Sequence, residues 1–302
     1  MSEFTSRLAP PLRKPDWVKV SIRTGGGFAM VREMVKDLKL HTVCQEARCP
    51  NIFECFSNRT ATFMILGENC TRRCGFCAVG KGVPTPPDGD EPRHVAEAVR
   101  AMGLSHAVVT SVDRDDLPDQ GASQFVQTIE EIRALNPGTR VEALIPDFRG
   151  DGRCLDLVLA ARPEILNHNM ETVERLYHRV RRGADYSQSL RLLARASDFR
   201  RSEAGSGMMT KSGVMVGLGE TVEELLVVMD HLRASGVDIM TIGQYLRPSM
   251  KHLPVERYYT PEEFLRLKEE GLSRGFRHVE SGPLVRSSYH AHEQGDRAAH
   301  VA

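Results

Sequence analysis

Six of the seven cysteines in this chain fall between Cys44 and Cys77, in two groups of three. Cys70, Cys74 and Cys77 are spaced C-x3-C-x2-C, and Cys44, Cys49 and Cys55 are spaced C-x4-C-x5-C. Thiolates are soft ligands that select zinc, copper(I) and iron–sulfur clusters. In a reducing compartment, clustered cysteines are more often metal ligands than disulfides. Three thiolates on one short loop can hold three irons of a [4Fe–4S] cluster, leaving the fourth iron open to a small molecule. A structural zinc site normally closes with four ligands, so three cysteines suit it poorly unless a distant histidine completes it. By itself, the C-x4-C-x5-C group is open between zinc, a cluster and structural cysteines. Cys154 stands apart in the helical surroundings of Leu155–Leu159 and reads as a small core residue.

These groups need a scaffold. Short apolar runs at Thr62–Leu66, Ala107–Val112, Val141–Ile145, Glu164–Leu166, Gly213–Leu218 and Ile239–Leu246 have the form of buried strands. Helical spacing covers Ala29–Leu40, the Phe125/Ile129/Ile132 segment up to Asn136-Pro137-Gly138, and Val222–Met229. Thr260-Pro261-Glu262-Glu263 is a capping box opening another helix. Gly25-Gly26-Gly27 reads as a flexible turn after Pro10, Pro11 and Pro15, and Gly82–Pro92 as a loop. Strands alternating with helices give a parallel α/β sheet, either an incomplete (β/α) barrel or a doubly wound sheet. Cys70 follows the first run, so its loop lies at a strand's C-terminal end, where α/β folds gather ligands.

The 302 residues carry 40 Lys+Arg and 40 Asp+Glu, a net charge of zero, which argues against a general nucleic-acid binder. No apolar run is long enough to span a bilayer, and the first fifteen residues lack the apolar core of a signal peptide. The expectation is a cytoplasmic protein.

The C-x3-C-x2-C loop, with Phe76 before its last cysteine, resembles the signature of the radical S-adenosylmethionine (SAM) superfamily. Beside it, C-x4-C-x5-C resembles the auxiliary-cluster motif of the lipoyl synthase family. That likeness continues in order through Thr62–Gly67, Thr110–Leu117, Asn167–Thr172, Thr210–Gly213, Gly217–Glu220, Thr241–Tyr245 and Gly282–Tyr289, spanning about residues 15 to 292. Phe53 and Gln120 stand where that family usually has Gly, Phe56 where it has Trp, and Gly75 where a larger residue is common. A relative of biotin synthase would lack both the early triad and the Arg286-Ser287-Ser288-Tyr289 end.

The resemblance implies a partial (β/α)6 TIM-type barrel at 59–282. An N-terminal extension at 1–58 would carry the auxiliary motif, and a C-terminal extension at 283–302 would close that site. It implies SAM and two [4Fe–4S] clusters as cofactors. Cys70, Cys74 and Cys77 would hold the cluster that reduces SAM to a 5′-deoxyadenosyl radical. Cys44, Cys49 and Cys55 would hold a second cluster that gives up sulfur, with Ser288 completing it and Ser287 as the other choice. The reaction implied is insertion of two sulfur atoms at C6 and C8 of an octanoyl group on a lysine of a lipoyl-carrier protein, one SAM for each. General acid–base catalysis cannot deprotonate an alkane near neutral pH, so a cofactor must carry this chemistry. Partners implied are octanoylated lipoyl domains of 2-oxoacid dehydrogenase E2 subunits or the glycine-cleavage H protein, a ferredoxin- or flavodoxin-type reductant and a cluster-delivery protein.

Arg286 would place positive charge near the second cluster, or form a surface ion pair. Asn167, Asn169 and Glu171 end a strand on the active face and would hold SAM, unless Asn169 only caps a helix. Gly217 and Gly219 would admit adenine against backbone, or only turn the chain. Lys211 needs a partner if buried. The histidines His290, His292 and His300 read as solvated.

Overall fold

The computed structural model describes residues 12–20 and 25–299. Its strands are β1 (His41–Thr42), β2 (Thr62–Ile65), β3 (Asn69–Cys70), β4 (Gly80–Lys81), β5 (His106–Ser111), β6 (Arg140–Leu144), β7 (Ile165–Asn167), β8 (Met209–Val216), β9 (Ile239–Gln244) and β10 (His278–Gly282). The helices are α1 (Gly26–Asp37), α2 (Val43–Glu46), α3 (Ile52–Ser57), α4 (Glu91–Met102), α5 (Ala122–Leu135), α6 (Gly152–Ala160), α7 (Tyr177–Val180), α8 (Tyr186–Arg201), α9 (Val222–Ala234), α10 (Pro261–Ser273) and α11 (Ala291–Ala299).

The main sheet has the order β1-β2-β5-β6-β7-β8-β9-β10. Every pairing from β2 to β10 is parallel, and β1 lies antiparallel on β2. A doubly wound sheet reverses its strand order at a switch point. Here the order follows the chain without reversal, as in a barrel. β1 and β10 end the ladder, so the barrel is partial, as expected.

All six expected strands are present, with β8 beginning at Met209 rather than Gly213. A seventh parallel strand, β10, is added. Its sequence His278-Val279-Glu280-Ser281-Gly282 has one aliphatic residue, so it is a strand only through its pairing with β9.

The capping box at Thr260 is formed: Glu263 N donates to Thr260 Oγ1 at 3.3 Å, and Thr260 N donates to Glu263 Oε2 at 2.8 Å. Two loop expectations are corrected. Gly25 caps α1, and Gly26 and Gly27 are its first residues. A Cβ on Gly27 would meet the Ser57 carbonyl oxygen at 2.3 Å, so these glycines let α1 lie close on the end of α3. Glu91 and Pro92 belong to α4, with Pro92 in its first turn, where a missing N–H costs nothing. Pro10, Pro11 and His300 lie outside the described residues.

Candidate active site

The loop from β3 to β4 carries Cys70, Cys74 and Cys77. Parallel pairing of Asn69 with Gly80 and of Cys70 with Lys81 brings its ends together. The amides of Arg72 and Asp113 donate to Cys70 Sγ at 3.4 and 3.3 Å, which favours a thiolate there. Arg72 is buried and anchors the loop to the barrel. Its Nε and Nη2 grip both oxygens of Asp115 at 2.9 Å, and Nη1 donates to Asp147 Oδ2 at 2.7 Å. Asp113 and Asp115 follow β5 and Asp147 follows β6. One guanidinium thus ties the loop to two strand ends through a bidentate fork.

From the other side, Leu253 N donates to Gly75 O at 3.1 Å and the His252 ring pairs with Cys77 O at 3.1 Å. A Cβ on Gly75 would lie 2.9 Å from Leu253 Cδ1, which accounts for glycine in this chain.

The second triad is built differently. Cys44 lies on α2, capped by Thr42, whose Oγ1 accepts from Gln45 N at 3.3 Å. Cys55 lies on α3, and Cys49 between the two helices. Phe28 stacks on Phe53 with centroids 5.5 Å apart and packs on Phe56 at 5.6 Å, so the two departures on α3 fill one aromatic cluster with α1. Residues after β10 pack on this unit. Asn51 Nδ2 donates to Leu284 O at 2.7 Å, and Tyr289 Oη donates to Glu54 at 2.9 Å. His290 is thereby engaged too, against Glu54 and Glu293, while His292 is exposed.

Both triads open on one cavity of about 350 Å³ along the barrel interior, lined by Cys44, Cys49, Cys70, Cys74 and Cys77. Cys55 is not in its wall but lies close enough to feel Cys44 and Cys49. Burial pushes the Cys44, Cys70 and Cys74 thiols up to about 12 and raises those of Cys49, Cys55 and Cys77. Free thiolates are costly in such a place. Bound to an iron core of opposite charge, they are not, and metal uptake releases the protons. This donor set fits two clusters. Ser111 Oγ, buried in the cavity wall without a partner, fits a polar ligand.

The other sequence-derived residues separate. Asn169, Glu171, Arg286, Ser287 and Ser288 line the cavity. Glu171 adopts φ +68°, held by backbone bonds to Gly213 and Met215. Burial raises its carboxyl and the Arg181 charge opposes this. Burial lowers the Arg286 guanidinium and the nearby Cys49 opposes this, so Arg286 sits beside the second triad, and among the described residues it has no ion pair.

Asn167 and Gly217 are not cavity residues. Asn167 is fully buried behind the wall. Gly217, at φ +97°, packs under Gln244 Nε2 and Arg257 O, which a Cβ would meet at 2.2 and 2.6 Å. Lys211 is buried in the barrel with Glu142 as its partner at 2.9 Å, and Cys154 is a core residue of α6.

Sequence reasoning missed Arg72, Asp113, Arg181 and His168. Arg181 is buried in the wall, its Nη1 donating to Tyr177 Oη at 2.7 Å and Asn169 O at 2.9 Å. Nothing in Arg181-Arg182-Gly183 marks it off from a surface arginine. Arg72, Asp113 and Asp115 do lie inside quoted motifs, but only the fold shows that they pair.

The barrel and its three-cysteine loop define a radical SAM enzyme. A model of the radical SAM superfamily matches residues 64–232, over half of the chain. Two solved structures share the fold. HydG, a maturase of the [FeFe]-hydrogenase, matches with TM-score 0.52 and 15% identity over 93% of this chain and 69% of that one. Methylornithine synthase (PylB) matches with TM-score 0.51 and 15% identity over 81% and 73%.

A second model, the N-terminal domain of lipoyl synthase, matches residues 5–49. The lipoyl synthase of Koribacter versatilis is 59% identical over 95% of this chain and 92% of its own. That of Symbiobacterium thermophilum is 58% identical over 95% and 88%. The chain belongs to the lipoyl synthase family of radical SAM enzymes. The expected enzyme class, fold, and cofactors, SAM and [4Fe–4S] clusters, stand with it. No helix among the described residues is long and apolar enough to cross a membrane.

Proposed function

We propose that the cavity is the reaction chamber of a lipoyl synthase, with its two triads dividing the work. The single observation that carries this is that cysteines of both triads, all three of one and Cys44 and Cys49 of the other, line one cavity from separate stretches of chain. The bound clusters and SAM supply the one-electron and sulfur-transfer chemistry that no side chain can supply at an alkane carbon.

The chain's own residues bind and orient. Cys70, Cys74 and Cys77 hold the first cluster, leaving one iron for SAM, and Asn169 and Glu171 face SAM from the end of β7. Cys44, Cys49 and Cys55 hold the second, sulfur-giving cluster. Ser288 completes it. Thr62 supports that choice, because it lines the cavity with Cys44 while its Oγ1 donates to Ser288 Oγ at 2.7 Å. Arg286 offsets negative charge at Cys49. Between the triads, Val112, Leu144, Ile145 and Met215 give an apolar wall for an octanoyl chain and exclude water.

In this reading residues 1–58 and 283–302 are extensions that assemble the second centre on a barrel of 59–282. The substrates are octanoylated lipoyl domains of E2 subunits or H protein. A small ferredoxin or flavodoxin gives electrons, and a delivery protein restores the second cluster.

The test is anaerobic reconstitution followed by reaction with SAM, reductant and an octanoyl-lysyl peptide, read by mass. Conversion through a singly thiolated intermediate is expected. Ser288→Ala should keep SAM cleavage and lose sulfur insertion by at least about 10-fold, the scale of a lost metal-site contact. Stoichiometric zinc with no SAM cleavage sinks the reading.

A further inference from the structure

Behind the cavity wall, four neighbouring strands point polar side chains at one another inside the barrel. Glu142 on β6 is fully buried and receives Lys211 Nζ of β8 at 2.9 and 3.1 Å. His106 of β5 lies 3.5 Å from the same carboxylate. Asn167 of β7 donates from Nδ2 to Glu142 Oε1 at 2.8 Å and to Ser287 Oγ at 2.8 Å. A carboxylate only accepts, so the amide nitrogen must face it, and the amide's two protons account for both bonds. Ser287 then donates to Asn169 Oδ1 at 3.0 Å. Its hydroxyl is thus both donor and acceptor, held between Asn167 at the end of β7 and Asn169 just beyond it. Ser288 has no such clamp. Among the described residues its hydroxyl is bonded by Thr62 Oγ1 alone, and Thr62 lines the cavity with Cys44.

We propose that Asn167 is a positioning residue for the second centre: anchored on the Glu142–Lys211 pair, it fixes Ser287 and thereby presents the next residue, Ser288, to the Cys44 triad. This rests on Ser288 being a ligand of that centre. It assigns Asn167, behind the cavity wall, to the second centre rather than to SAM. A buried ion pair is weak evidence for stability but a rigid anchor for what it holds. Here it sets the height of a segment that no strand pairing controls.

The experiment compares Asn167→Ala, Ser287→Ala and Ser288→Ala as full-length, anaerobically reconstituted proteins. The readouts are iron content, the electron paramagnetic resonance of each cluster, SAM affinity and SAM cleavage. Asn167→Ala and Ser287→Ala should each alter the signal of the second cluster and lower its occupancy severalfold. SAM affinity and cleavage should stay within about twofold. The double variant should be no worse than either single, as for residues acting through one contact. If Asn167→Ala does not fold, Ser287→Ala carries the same requirement without touching the barrel core. Weakened SAM binding with an intact second cluster in Asn167→Ala overturns the proposal, as does a wild-type second cluster in Ser287→Ala. A wild-type second cluster in Ser288→Ala would overturn the ligand assignment itself, and is distinguishable because it leaves the other two variants to report on the relay alone.

Discussion

The two cysteine triads share a cavity but not a mode of construction. Cys70, Cys74 and Cys77 sit on one loop, closed at its ends by the β3–β4 pairing and pinned by Arg72 to Asp115 and Asp147. Cys44, Cys49 and Cys55 come from two short helices and their link, and Ser288, from beyond the last strand, lines the same cavity and is bonded by Thr62. The first centre depends on local chain geometry with a few strong contacts below it. The second depends on the barrel bringing the start of the domain and its end to the same place. In the proposed division of labour the second centre gives up sulfur, and being held from several directions lets one contact open without the others.

The largest effect that separates them is ligand loss. Cys74→Ala should bring both SAM cleavage and sulfur insertion to background. Cys49→Ala should abolish insertion while SAM cleavage persists, measured as 5′-deoxyadenosine release. Equal loss of cleavage in both would break the division of labour.

Next is the anchor of the first loop. Arg72→Met strips the partner from buried Asp147 and from Asp113 and Asp115, at a cost of about 3–5 kcal/mol. Denaturant unfolding should show it, and the first cluster's spectrum should change more than the second's.

A smaller effect is pH-linked. Burial, then the Arg181 charge, depresses His168 from 6.5 to about 4. Its ring bonds Ile145 O at 2.9 Å and Ser189 Oγ at 3.0 Å, both satisfied by a neutral ring. The folded state therefore binds fewer protons than the unfolded one. Stability from this group is full above about pH 6.5 and falls as pH drops toward 4. Between pH 7 and 5 the loss is about 2 kcal/mol, and it should be absent in His168→Gln.

The smallest is Cys154→Ala. It should cost no more than about 1 kcal/mol and leave the iron content unchanged, as for a small core side chain outside both centres.

Much of this was legible before any coordinates. The strands β2, β5, β6, β7 and β9 fall on the short apolar runs of the sequence, and burial on both faces is what such runs imply, although His106, Glu142 and Asn167 put polar side chains among them. The C-x3-C-x2-C spacing is itself a statement of local geometry. Gln120 shows the limit from the other side. It sits at φ +52°, a conformation that favours the glycine usual in the family, and is kept by its Nε2 bond to Phe148 O at 2.9 Å. That bond spans strands of structure and leaves no mark in the sequence.

Composition, spacing and motif order determined the chemistry: two sets of soft ligands on an α/β barrel, in a chain with no charge bias toward nucleic acid. Tertiary structure alone decided which polar residues serve it. Asn167, Asn169, Ser287 and Ser288 look alike as sequence, yet hydrogen bonds from β6, β7 and β2 send them to different tasks. The reason is that a ligand set on one loop is fixed by bond geometry, whereas the partners of a buried polar side chain are fixed by whichever strand the fold places beside it.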